Sequence, residues 1–89
     1  MALFFSNQTT NDTSAAIDWF GGDGTFYAHG VFDGGTVTLQ ASFDGAANWI
    51  DVGPDATFSA PGAGNFRIGR CKLRAVVTGA TSPSLTAGI

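Results

Sequence analysis

Apolar residues recur at every second position of this sequence, in short runs that end at Gly, Asp, Asn or Pro. Between 36 and 43, for example, the apolar side chains of Val37, Leu39, Ala41 and Phe43 alternate with polar ones. A period of two is typical of β-strands, whose successive side chains point to opposite faces of a sheet. Nowhere do apolar residues repeat at helical spacing over three turns. The pattern therefore predicts an all-β chain.

Turn-forming residues divide the chain into strand-length pieces. Gly and Asp suit the backbone conformations of tight turns, and Pro cannot donate a hydrogen bond to a sheet. The glycine-rich runs at 21–24 and 61–64 are accordingly expected to be turns. The remaining candidate strands are residues 14–20, 25–32, 36–43, 49–52, 56–59, 65–68, 70–78 and 84–89. Their number and spacing predict a single antiparallel β-sandwich or jelly-roll-like domain of about seven to eight short strands, formed by residues 14–89.

Length and composition exclude several classes of protein. A chain of 89 residues, 44% hydrophobic and 12% charged, has room for one globular core and is too apolar to be disordered. It contains no run of 18 apolar residues, so we expect no membrane partner. The first five residues also lack the basic start and long apolar stretch of a signal peptide. The net charge of −3 argues against a nucleic-acid partner.

The sequence offers little for catalysis. All seven acidic residues are Asp, and most of them adjoin Gly or Pro in predicted turns, where their side chains bond to the backbone. Cys71 and His29 are the only candidate nucleophile and base, and Cys71 falls on the apolar side of its strand. The Asp residues are too widely spaced for a local calcium cage, and one His supplies one metal ligand at most. We therefore expect a protein that is not an enzyme and that has no cofactor or metal.

The positive charges are concentrated in one segment. All four Lys and Arg residues lie between 67 and 74, and every Asp precedes them. Arg70, Lys72 and Arg74 alternate with apolar residues, so they share one strand face at intervals of about 7 Å. This face either docks on an acidic partner surface or pairs with Asp18 or Asp51 of the same sheet. The sequence leaves both interpretations open.

The N-terminal segment also has two interpretations. Three large apolar residues, Leu3, Phe4 and Phe5, precede eight polar ones. Residues 1–13 are either an arm whose apolar part docks on a neighbouring polypeptide or the first edge strand of the sandwich. Together with the basic row, the candidate partner-binding residues are Leu3, Phe4, Phe5, Arg70, Lys72 and Arg74.

Two segments resemble a known group of proteins. They are Gly35-Thr36-Val37-Thr38-Leu39-Gln40-Ala41-Ser42-Phe43-Asp44-Gly45 leading to Trp49-Ile50-Asp51-Val52, and Leu73-Arg74-Ala75-Val76-Val77-Thr78-Gly79-Ala80. The chain resembles the small β-sandwich virion proteins of tailed bacteriophages, which act as capsid decoration (cement) proteins, head fibres or adaptors.

The resemblance implies a non-enzymatic structural virion protein, assembled in the host cytoplasm. Such a protein docks as a homo-oligomer on the major capsid protein or another virion protein and stabilises the shell. The alternative is a receptor- or carbohydrate-binding sandwich of a fibre or secreted enzyme, with Trp19, Tyr27 and Trp49 as candidate sugar-stacking residues.

Overall fold

A computed structural model describes residues 3–89 and contains nine β-strands in that range. The strands are β1 (Leu3–Gln8), β2 (Ile17–Trp19), β3 (Gly22–Val31), β4 (Thr36–Ser42), β5 (Ile50–Asp51), β6 (Thr57–Phe58), β7 (Gly62–Ile68), β8 (Cys71–Thr78) and β9 (Ser84–Gly88). One turn of 3₁₀ helix, Pro54–Ala56, joins β5 to β6. The all-β prediction is confirmed. Each of the eight candidate strands has a counterpart, and β1 corresponds to the edge-strand interpretation of the N-terminal segment.

The strands form two antiparallel sheets that pack together as a sandwich. The first sheet has the order β1-β9-β3-β7. The second has the order β2-β8-β4-β5, and the short β6 also pairs with β4. Strands β8 and β4 share seven consecutive residue pairs, from Thr36 opposite Thr78 to Ser42 opposite Lys72. The pairing of β4 with β8, which form the centre of the second sheet, therefore runs without a register shift.

The core lies between the sheets and consists of the alternate residues that the period-two pattern predicts. On β8, Leu73, Ala75 and Val77 are at most 1% exposed. The first sheet contributes Phe26 and Leu85, which are fully buried opposite them. Each large apolar side chain buried in this way stabilises the fold by about 1.5–3 kcal/mol.

Residues 22–24 and 62–64 of the two glycine-rich runs are strand residues, and only the bends at 21 and 61 lie outside strands, so the prediction of turns is wrong for most of both runs. Gly24 lies on β3, and a methyl group there would come within 3.0 Å of the rings of Phe66 and Trp19. Gly64 lies on β7 and faces the backbone carbonyl of Asp55, which a methyl group would overlap. Both glycines are needed because other groups approach the strand closely, a property that the local sequence does not reveal.

The alternation on β4 also ends one residue earlier than predicted. Phe43 is 56% exposed, whereas Ser42 is buried. The Ser42 hydroxyl donates a hydrogen bond to Asp44 Oδ1 (2.9 Å) and accepts one from the Ala46 N–H (2.9 Å). These bonds satisfy the polar group, so its burial costs little.

Residues 3–8 form an edge strand, and residues 1 and 2 of the predicted arm lie outside the described part of the chain. Strand β1 pairs with β9 with two register shifts, one of them between Leu3 and Phe5. Phe5 is buried, and the half-buried Phe4 packs edge-on against Phe26 at a ring-centroid distance of 6.2 Å. Leu3 remains 52% exposed.

The polar run that follows β1 crosses to the second sheet and is bound along β8. Asn11 donates a side-chain hydrogen bond to the Ala80 carbonyl (3.0 Å) and accepts one from the Ala80 N–H (2.9 Å). Ser14 forms a similar pair with the backbone of Ala75. These bonds hold the crossing segment against the sandwich.

The burial of β1 predicts different effects of substitutions at neighbouring positions. Phe5→Ala should lower the free energy of unfolding by about 3–5 kcal/mol, because it leaves a cavity in the core. Leu3→Ala should change it by less than about 0.5 kcal/mol, because the side chain is more than half exposed. Urea unfolding followed by tryptophan fluorescence measures both. Equal stability of Phe5→Ala and wild type would show that β1 does not belong to the core.

Candidate functional site

The outer face of the second sheet carries three of the four positively charged side chains. We call it the cationic face and define it by Arg70, Lys72 and Arg74, with the aromatic residues Phe20 and Trp49. Because Cys71, Leu73 and Ala75 are buried, the residues between them on β8 must point outward.

Lys72 is paired within the chain. Its ammonium nitrogen lies 2.8 Å from Asp18 Oδ1, and the two residues are opposite each other on β8 and β2. The hydrogen bond from Lys72, followed by its charge, holds the pKa of the Asp18 carboxyl below the ordinary value of 3.8. Both side chains remain largely exposed to solvent, so this ion pair contributes little to stability.

Arg74 is held in position by an aromatic ring and an amide. Its guanidinium carbon lies 4.2 Å from the centroid of the Trp49 ring, a distance typical of a cation–π contact. Its Nε donates to Gln40 Oε1 (2.9 Å), and Gln40 Nε2 donates to Asp51 Oδ1 (3.0 Å). Arg74 thus reaches Asp51 only through Gln40 and keeps its charge unneutralised by a direct ion pair.

Arg70 is the most accessible cation of this face. It precedes β8, is exposed, and lies 5.6 Å from the centroid of the Phe20 ring, which is itself 77% exposed. Within residues 3–89, neither Arg70 nor Arg74 has a carboxylate within salt-bridge distance. The structure therefore divides the basic row: Lys72 is neutralised by Asp18, whereas the two arginines are available to bind an anionic group.

A shallow cleft of about 320 Å³ opens beside Arg70 and Lys72. Its other wall is formed by the exposed Phe43 and by the turn at Gly45, with Cys71 at its base. The turn is rigid because Asp44 accepts hydrogen bonds from the Asn48 side chain (2.8 Å), the Asn48 backbone N–H (3.0 Å) and Ser42. The same bonds lower the pKa of Asp44. The cleft is thus lined by two cations, by the carboxylate of Asp18 and by the apolar Phe43.

A larger groove of about 510 Å³ lies on the first sheet but offers no unpaired charge. Its side chains pair with one another: Thr25 donates to Asn65 Oδ1 (2.8 Å), and Arg67 lies 3.7 Å from Asp23. Polar groups that are already satisfied give a ligand little to bind. We therefore place the candidate site at the cationic face.

The structure does not bring all the candidate partner-binding residues together. Leu3, Phe4 and Phe5 lie on the first sheet, and Phe4 and Phe5 pack against the core. Only Leu3 of these three is free to contact another polypeptide. The sequence prediction omitted Phe20 and Phe43 from the site. Both residues end a predicted strand, directly before Gly21 and Asp44 respectively, and this position at a strand end could have indicated that their side chains are exposed.

The three aromatic residues considered for sugar binding do not form an exposed platform. Trp19 is half-buried, packs on Phe66 at 5.2 Å and donates its ring N–H to the Ile68 carbonyl (3.3 Å). Tyr27 is half-buried on the first sheet, and Trp49 is half-buried beneath Arg74.

The candidate catalytic pair is divided between the sheets. His29 is exposed on β3, whereas Cys71 is buried on β8, where burial raises the pKa of its thiol. Across residues 3–89, no three His, Cys, Asp or Glu side chains converge as metal ligands, and no helix has the length and apolarity to cross a membrane.

Comparisons of the chain with protein-family models, curated proteins and solved structures found no match.

The Lys72–Asp18 pair predicts a specific pH dependence. Because the pKa of Asp18 is lowered in the folded state, the pair stabilises the fold above about pH 4, and this contribution is lost as the pH falls through the native pKa. Lys72→Met should therefore raise the pKa of Asp18 towards 3.8. Titration of the carboxyl carbons by NMR measures this change. The pKa of Asp44 is the internal control, since Asn48 and Ser42 lower it and Lys72 does not. An unchanged pKa of Asp18 would contradict the ion pair.

Proposed function

We propose that this protein is a non-enzymatic structural protein that docks through its cationic face on an acidic protein surface. We further propose that this surface belongs to the shell of a tailed-phage virion, on which the protein acts as a capsid decoration protein. The observation that carries the proposal is the pair of arginines that lie over aromatic rings without a carboxylate partner in residues 3–89.

The arrangement of these arginines suits protein recognition. Arg and aromatic residues are enriched among the residues that dominate the binding energy of interfaces. A guanidinium group held over a ring, as Arg74 is over Trp49, loses less side-chain freedom on binding and presents its N–H groups to a carboxylate. The exposed Phe20 and Phe43 add apolar area beside these charges.

The charge balance favours an acidic protein over a nucleic acid. The chain has a net charge of −3, and Asp18 lies within the cationic face itself. A polyphosphate backbone is bound by many Lys and Arg contacts, which this face does not provide. A protein surface with a few carboxylates matches two unpaired arginines better.

The virion part of the proposal is supported by the position of the residues that carry the resemblance. The segments 35–45 and 49–52 contain β4 and β5, and the segment 73–80 contains most of β8. These three strands are adjacent in the second sheet and supply Arg74 of the cationic face, together with Gln40 and Asp51, which hold it through hydrogen bonds. The resemblance therefore falls on the sheet that we propose as the docking surface.

Docking on an acidic surface predicts a position-dependent effect of removing arginine. The double substitution Arg70→Ser with Arg74→Ser should weaken binding to immobilised poly-L-aspartate at least tenfold, which is about 1.4 kcal/mol. Surface plasmon resonance in increasing salt measures this, and binding of the wild type should fall as the screening length shrinks to about 3 Å at 1 M.

The single substitutions Arg70→Ser and Arg74→Ser are compared with a matched control, Arg67→Ser, which removes the same charge from the first sheet, where Arg67 is exposed beside Asp23. The control should weaken binding less than about twofold, because Arg67 lies outside the cationic face and a twofold change is only about 0.4 kcal/mol. If Arg67→Ser and Arg70→Ser weaken binding equally, net charge alone acts and the cationic face has no special role.

The location is tested separately by electron cryomicroscopy of phage particles purified from the source culture. We expect density for a sandwich of 33 × 24 × 21 Å at repeated positions on the shell, with the second sheet towards it. Washed particles that lack the chain by mass spectrometry would refute the virion location and leave the docking result intact.

A further inference from the structure

The outer face of the first sheet is almost free of charge. Along β1, β3, β7 and β9, the charged side chains are Asp23 and Arg67, which face each other near one end. All other charged residues lie in the second sheet or in connecting segments. The solvent-facing side of an antiparallel sheet is normally polar, and here its polar groups are mostly hydroxyl, amide and imidazole groups instead of charged ones.

This surface consists of apolar, aromatic and small residues that the strand pairing brings together. Tyr27, His29 and Val31 on β3 lie opposite Gly88, Thr86 and Ser84 on β9, and Leu3 lies beyond Gly88 on β1. Gly88 is buried, so we call the other six residues the neutral face. The rings of Tyr27 and His29 stack with an interplanar angle of 7°, and Leu3 and Val31 are 52% and 58% exposed.

Both edges of the same sheet are protected against pairing with another strand. At one edge, β1 has two register shifts, and Asn7 has a positive φ of 52°. At the other edge, the 3₁₀ turn packs against β7, with the Asp55 carbonyl against Gly64. Irregular or covered edges are how sheets avoid edge-to-edge association. Association through this sheet is thereby restricted to its face.

We propose that the neutral face binds the neutral face of a second copy of this chain, forming a two-fold symmetric dimer. A self-complementary contact places each patch against itself, and a face without charges meets its copy without like-charge repulsion. A charged partner, by contrast, would lose hydration there without gaining an ion pair. The small side chains of the exposed Ser84 and the half-buried Thr86 leave room for the larger side chains of the copy.

The size of the face predicts a dimer that dissociates on dilution. Its three strands, about 4.8 Å apart and about six residues long, outline roughly 300 Å² per copy. Two such faces bury less than the 1,200–2,000 Å² or so of stable complexes. The dimer would carry its two cationic faces on opposite sides, because the second sheet lies across the core from the neutral face. Dimer formation requires no acidic docking partner, so the dimer proposal and the proposed function can each fail without affecting the other.

Sedimentation equilibrium of the full chain tests the proposal. In 500 mM salt, which screens charge contacts beyond about 4–5 Å, the average mass should rise from 9.1 kDa towards twice that value as the protein concentration approaches about 1 mM. A mass of 9.1 kDa at every concentration would overturn the proposal. Association that occurs only at low salt would do the same, since it would indicate contacts between charged surfaces.

Two variants of the neutral face and one control locate the contact. Val31→Lys should weaken association at least tenfold, because each copy would place an ammonium group against the other. Ile50→Lys is the matched control: Ile50 is a β-branched residue of nearly equal exposure (57%) on the second sheet, and its substitution should change association less than twofold. His29→Lys, at the centre of the face, should act like Val31→Lys. Equal effects of Val31→Lys and Ile50→Lys would overturn the assignment to the neutral face.

Discussion

Burial of Leu73, Ala75 and Val77 between the two sheets determines the orientation of β8, and much of the surface chemistry depends on that orientation. Successive side chains on a strand point to opposite faces, so Lys72 and Arg74 must face solvent when these three are buried. A slip of one residue would move the charged groups into the core at a cost of several kcal/mol each. The same alternation that stabilises the fold thus creates the cationic face.

The neighbouring strands decide what each cation does. Register places Asp18 opposite Lys72 and Gln40 opposite Arg74, so one cation is neutralised directly and the other is only hydrogen bonded to an amide. Arg70 precedes the strand and contacts Phe20 instead of a carboxylate. A row of three equivalent charges in the sequence becomes three different environments in the fold.

The two sheets differ in the charge that they present to solvent. The second sheet carries unpaired arginines beside aromatic rings, whereas the first has a largely neutral outer face and protected edges. Surfaces of such different character on opposite sides of one core suit a protein that makes two kinds of contact. In our proposals one contact is with an acidic shell and the other with a second copy, and because the cationic faces of such a dimer point away from each other, only one of them can meet a given shell surface.

The local sequence was sufficient to predict the strands and much of the core, because alternation and turn residues are properties of neighbouring positions. The strands around Leu39, Leu73 and Leu85 and their buried faces followed directly from that pattern. It also identified the basic row on β8.

Tertiary structure alone decided the rest. Gly24 and Gly64 lie in strands because β3 pairs with β7, and glycine is required there because the Trp19 and Phe66 rings and the Asp55 carbonyl approach closely. The N-terminal segment is an edge strand because β9 and the core accommodate Phe5. Which cations remain unpaired depends on strand register, and register is set by contacts between residues as far apart as 54 positions, as for Asp18 and Lys72.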